Sequence, residues 1–151
     1  DLYEGGIRVP MIAYLASKIQ PNSTTDHISA FWDFFPTALE IAGIKKDIED
    51  VDGISFLPTL LGKEQKNHDY LYWEFLERGG RQAVRMGQWK GVRLNMAKNP
   101  DAPIELYRLT NDIGEQNNLG HKYPDIIEKM DSIMSKAHEY SDIFSFKYEK
   151  E

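Results

Sequence analysis

The chain has 151 residues, enough for one hydrophobic core shared by one or two small units, and its 41% hydrophobic and 28% charged residues are ordinary for a globular protein in water. A formal net charge of -6 with no basic block excludes the usual electrostatic footprint of a nucleic-acid or anionic-membrane partner. The absence of cysteine excludes disulfides, thiolate metal sites and a cysteine nucleophile, and no apolar run reaches the roughly 18 to 20 residues of a membrane span.

In chain order, Gly5-Gly6 reads as a turn, because glycine takes positive φ without steric cost. Ile7 to Leu15 then reads as a strand, apolar on both faces in places and bent or at an edge at Pro10. Asp1 begins inside structured-looking sequence and no signal-peptide pattern is visible, so the natural start is expected elsewhere. Lys18 to Asp26 is a polar loop in which Asn22-Ser23-Thr24 fits a glycosylation sequon. Apolar spacing predicts a helix over Asp33 to Ala42, with Asp33 as N-cap, Pro36 in the first turn and Gly43 at the C-cap. Lys45 to Val51 is a charged linker, Asp52-Gly53 a turn, and Phe56 to Leu61 a short apolar segment.

Lys63 to Asp69 is strongly polar and marks an internal boundary. Beyond it, Tyr70 to Leu76, Gln82 to Met86, Trp89 to Leu94 and Ile104 to Leu109 read as strands joined by glycine turns. Pro124 opens an amphipathic helix with Ile126, Ile127, Met130, Ile133, Met134 and Ala137 on one face. The tail from Ser141 carries Ile143, Phe144 and Phe146 and either packs or frays.

No self-contained catalytic constellation emerges. His27, His68, His121 and His138 have no metal-ligand spacing and read as solvent-facing or capping residues. There is no nucleophile elbow and no phosphate-binding loop. Asp47, Glu49, Asp50 and Asp52 lack the spacing of a calcium loop, and Asn111 to Asn118 is explained by turn chemistry. Tyr70, Tyr72, Trp73 and Phe75 could stack on sugars, or serve as the core of a small sheet. The next loop, Glu77 to Gln82, places charges on a hairpin tip, where Arg78 or Arg81 would suit an anion through a fork of donors.

Five segments in order resemble the sulfatase family of the alkaline-phosphatase-like superfamily. Tyr3 to Pro10 (YEGGIRVP) resembles YEGGxRVP, Asp33 to Gly43 resembles DxxPTxLxxAG, and Asp52 to Gly62 resembles DGxSxxPxLxG. Ala83 to Lys90 resembles AVRxGxWK, and Glu105 to Leu119 resembles ELYDLxxDxxExxNL, with Arg108 and Ile113 departing from that last pattern.

The resemblance implies an α+β chain: residues 1–62 as the end of the large α/β catalytic domain, and 63–151 as a four-stranded antiparallel sheet with a packed helix. It implies a parent enzyme that hydrolyses sulfate esters, of sulfated carbohydrates by preference, using calcium and a formylglycine made from Cys or Ser in C/S-x-P-x-R. That motif is absent here, so the resemblance assigns this chain no catalytic and no metal residue, and the chain alone is expected to be inactive. Glu4 and Arg8 are implied as support beside the sulfate pocket. Trp73, Glu74, Glu77, Arg78 and Arg81 are the candidates for contacting the sugar. The implied partners are the upstream sulfatase catalytic domain and a small sulfated substrate, with no nucleic acid and no membrane, and the family favours a periplasmic or other extracytoplasmic location. An isolated first strand would expose an edge and an apolar face, which predicts self-association of the fragment. A non-catalytic glycan-binding module and a phosphodiesterase-type member of the superfamily remain alternatives.

Overall fold

A computed structural model describes residues 1–44 and 51–146. The charged linker and three of its acidic residues, Asp47, Glu49 and Asp50, lie outside the described residues. The chain divides into two compact units: Asp1–Val9 with Tyr70–Glu151, and Pro10–Asp69.

The first unit is built on an antiparallel sheet in the order β1 (Leu71–Phe75), β2 (Arg81–Met86), β3 (Trp89–Leu94) and β4 (Ile104–Arg108). All four strands read from the sequence are present within a residue or two. The register pairs Tyr72 with Val84, Val84 with Gly91 and Gly91 with Leu106, which puts these residues on one face. That face is covered by the terminal helix α4 (Pro124–Ala137), and Val84, Leu106, Met130 and Met134 form a fully buried cluster. Gly91 is required by this packing, since a Cβ there would lie 2.5 Å from Met130 Sδ. The opposite face carries Trp73, Phe75, Ala83, Val92, Leu94 and Tyr107, and it packs against Leu2, Tyr3 and Ile7 of the N-terminal segment.

This N-terminal segment overturns two sequence expectations. Gly5 and Gly6 do not form a positive-φ turn; they belong to a single helical turn, α1 (Glu4–Ile7). Gly6 is needed for clearance, because a Cβ there would sit 2.3 Å from the Asp1 carbonyl oxygen, whereas Gly5 has open space around it. The strand expected over Ile7 to Leu15 is also absent: Ile7 ends α1, and residues 8–15 have no regular structure. A strand needs a ladder partner for its backbone groups, and no described segment pairs with this stretch.

In the second unit a single 3-10 turn (Phe31–Asp33) leads into α2 (Phe34–Ile41), and Leu57–Leu60 form the short helix α3. Asp33 is not the N-cap of α2 by its side chain. Its Oδ2 instead accepts from the Ala30 N–H at 2.7 Å, capping the 3-10 turn ahead of the helix. Among the described residues no helix is long and apolar enough to cross a membrane.

Candidate functional site

Polar residues from three segments far apart in the chain, 3–10, 83–90 and 105–119, meet in the sheet unit. Lys90 is completely buried and its Nζ lies 2.9 Å from Glu4 Oε1 and 2.9 Å from Glu115 Oε1. Glu115 Oε2 accepts the Glu4 backbone N–H at 2.5 Å, from a residue held at φ 53°. Arg8 Nη1 and Arg85 Nη1 approach Glu4 Oε2 at 3.7 and 4.0 Å, outside hydrogen-bond range. Burial pushes the Arg85 guanidinium below the ordinary arginine range, opposed by the Glu4 charge. Beside this cluster, Glu105 Oε2 accepts from the hydroxyls of Tyr3 at 2.5 Å and Tyr107 at 2.9 Å. Burial and the Glu105 charge raise both tyrosines well above their ordinary value. Asn118 Oδ1 then accepts from the backbone N–H groups of Leu106 and Gly120.

The chemistry of this arrangement is that of a clamp. A buried ion pair gives little net stability, but removing one partner strands the other charge in low dielectric. Glu4 is only 4% exposed and pins α1 to the sheet, while Arg8 reaches back to it from solvent. Spacing in the sequence gives no hint of this, since Glu4 and Lys90 are 86 residues apart.

The five candidate sugar-contacting residues do not form one patch. Arg81 Nη1 donates to Asp1 Oδ1 at 2.6 Å and Arg78 Nη1 lies 3.6 Å from Asp1 Oδ2, so these two converge at the β1–β2 tip. Glu77 is exposed in the same loop, with its carbonyl accepting the Gly80 N–H at 3.1 Å. Trp73 lies on the same face as Arg81 but is half-buried against the N-terminal segment. Glu74 points to the α4 face, where its Oε1 meets His138 Nδ1 at 2.6 Å and accepts from the Tyr72 hydroxyl. Gln82 Nε2 in turn donates to the Tyr72 oxygen at 2.7 Å.

His138 fits the capping reading: it is the C-cap of α4, its N–H donating to the Met134 carbonyl at 3.2 Å, and it is also the partner of Glu74 just described. His68 departs from that reading. His68 Nε2 lies 2.8 Å from Asp33 Oδ1, in the second unit. Fully buried Asp33 also accepts from the Ile54 N–H at 2.8 Å, and its carbonyl accepts from Thr37 Oγ1, which itself accepts the Phe56 N–H. This knot ties α2 to the 54–56 segment. The Asp112 carboxylate accepts the Gln116 and Asn117 N–H groups, which hold its pKa below the usual carboxylate value. That loop is a turn, as its Asn and Asp residues suggest. Among the described residues no three His, Asp or Glu side chains are grouped to hold a metal ion.

Comparison with known proteins identifies the family. The family described as N-sulphoglucosamine sulphohydrolase, C-terminal, matches residues 1–140. A sulfatase of Formosa agariphila is 35% identical over 133 residues, which are 78% of this chain and 23% of that protein. An N-acetylgalactosamine-6-O-sulfatase of Bacteroides thetaiotaomicron is 25% identical over 145 residues, 89% of this chain and 28% of that protein. A structure solved in complex with k-i-k-neocarrahexaose superposes with a TM-score of 0.62 at 26% identity, covering 74% of this chain and 24% of that one. The chain therefore spans about a quarter of the length of these relatives.

Proposed function

Because the chain belongs to the sulfatase family, in its C-terminal part, we propose that it completes an enzyme that hydrolyses sulfate esters of carbohydrates. The observation that carries this reading is the match over residues 1–140, whose sequence segments in the sheet unit converge on the clamp described above. The carbohydrate preference is supported by the sugar named for the Bacteroides thetaiotaomicron relative.

In this reading residues 1–62 close the α/β catalytic domain and 63–151 form the C-terminal subdomain, with the first nine residues lying on the subdomain's sheet. The calcium and formylglycine of the family do not fit the residues present: among the described residues no cluster offers a metal site, there is no Cys, and no Ser stands in the C/S-x-P-x-R pattern. No catalytic step is assigned to this chain. Its residues fix the N-terminal segment on the sheet and present the β1–β2 tip toward substrate. Its partner is the upstream catalytic domain, and the many large exposed apolar residues of the 10–69 unit, among them Ile12, Tyr14, Phe31 and Phe34, support that. We place the enzyme outside the cytoplasm, as the family resemblance implies.

The test uses the complete protein. Sulfate release from N-acetylgalactosamine 6-sulfate is expected from it, and none from the 151-residue chain. Glu77→Ala and Arg81→Ala should raise KM or alter the preference among sulfated sugars. Turnover by the chain alone, or no release of sulfate from any sulfated sugar by the complete protein, overturns the reading.

A further inference from the structure

We infer that the β1–β2 tip is an oxyanion site, in which Arg78 and Arg81 take a second anionic group of the sugar, a carboxylate or a sulfate, in exchange for the Asp1 carboxylate. This rests on the saccharide reading above and narrows it to sugars with two negative charges.

At the tip two guanidinium groups face the Asp1 carboxylate, with the exposed Glu77 in the same loop. Arg81 uses Nη1 on Asp1, while its Nε is buried with no hydrogen-bond partner. Arg78 stands 3.6 Å from the other carboxylate oxygen, too far for a hydrogen bond, with 65% of its side chain exposed. Asp1 thus engages the pair incompletely: the exposed Arg78 fork suits the planar edge of a carboxylate or two oxygens of a sulfate, and Arg81, 16% exposed, offers the Nη1 that now holds Asp1.

The backbone holds this posture. Arg78, Gly79 and Gly80 have φ of 53°, 90° and 75°, a left-handed run that begins at a residue with a side chain. It is braced from behind: Met96 N–H donates to the Gly80 carbonyl at 3.2 Å and Ala97 N–H to that of Gly79 at 2.8 Å. The buried Phe146 ring lies 3.0 Å from where a Cβ on Gly80 would stand. Arg81 begins β2 and is fixed by its ladder pairing with Phe75 and Leu94. Left-handed non-glycine residues persist where surrounding structure enforces them, and they cluster at ligand clamps. The tip is preorganised, so little ordering cost attends binding.

The experiment measures Kd by calorimetry on the complete protein with three probes. They are glucosamine 6-sulfate, glucosamine 2-N,6-O-disulfate, and a disaccharide of glucosamine 6-sulfate with glucuronate. At least one doubly charged probe should bind about tenfold tighter than the singly charged one, the difference one good charge-assisted contact supplies. A preference for the disulfate identifies sulfate as the second group, and a preference for the glucuronate identifies carboxylate. Arg78→Asn removes the charge while keeping a residue that tolerates left-handed backbone, and should collapse the ratio to below about threefold. Asp1→Asn, which removes the internal competitor, should tighten the doubly charged probe several-fold, an effect no purely structural role produces. Equal Kd values for all three probes, no measurable binding, or an unchanged ratio in Arg78→Asn overturns the inference. Sulfate release, followed separately, judges the wider reading.

Discussion

In the sheet unit Val84, Leu106, Met130 and Met134 are fully buried, whereas in the 10–69 unit Ile12 is 95% exposed and Phe31 92%. The sheet unit covers both of its faces from its own chain, with α4 on one side and the N-terminal segment on the other. The 10–69 unit has a well-satisfied polar knot at Asp33, Thr37 and His68 but leaves large apolar side chains in water. The difference shows that local hydrogen bonding and apolar burial can be completed at different levels of organisation. Where both are complete, the unit is expected to be stable by itself; where only the first is, the proposed partner domain is expected to supply the second.

The sharpest way to break this contrast is to strip the clamp. Lys90→Ala leaves Glu115 buried without its cation and Glu4 with only the more distant Arg8 and Arg85, and should cost about 3–5 kcal/mol in denaturant unfolding of the sheet unit. Neutralising the cluster with Lys90→Met, Glu4→Gln and Glu115→Gln together should recover more than half of that loss. If the triple variant is worse than Lys90→Ala, the clamp owes its stability to attraction rather than to mutual neutralisation.

A smaller effect separates the adjacent glycines. Gly6→Ala must push on the Asp1 carbonyl and should destabilise by about 1–3 kcal/mol, while Gly5→Ala should be neutral or stabilising by up to about 1 kcal/mol. Equal effects would show that α1 does not dock on the sheet as described.

Smaller still in stability are changes on the exposed side of the 10–69 unit. Ile12→Lys with Phe31→Asp should alter unfolding free energy by less than about 0.5 kcal/mol. The 151-residue chain should nevertheless run as a self-associated species in light scattering, and this double variant should shift it toward monomer. A monomeric parent chain would remove the case for an unfilled apolar surface.

The smallest effect is confined to alkaline solution. Folding raises the pKa of Tyr3 and Tyr107 through burial and Glu105, so it favours their protonated forms. Their stabilisation is present below the unfolded tyrosine value of about 10 and is lost as pH rises above it. Unfolding free energy should therefore fall above that pH, and less steeply in Tyr3→Phe with Tyr107→Phe.

Much of the sheet unit was legible because its signals are local. β-prone runs between glycine turns marked the strands, and the spacing of Ile126, Met130, Ile133 and Met134 marked the face of α4. The expectation of a strand at Ile7 to Leu15 failed for the converse reason: β-prone residues do not make a strand without a neighbour to receive their backbone bonds. The candidate site was legible only in part. Arg78 and Arg81 were found from their place on a hairpin tip, but Glu74 was grouped with them although period 2 turns it to the α4 face.

What the sequence by itself determined is the set of sheet elements, the terminal helix and the family, all of which rest on residues near one another in the chain. What only the tertiary structure decided is which distant residues meet: Glu4 with Lys90 and Glu115, Asp33 with His68, Glu74 with His138, Asp1 with Arg81. The physical reason is that periodicity encodes which face a side chain takes, while the pairing of buried charges depends on how faces from remote segments are brought together, and no local pattern carries that information.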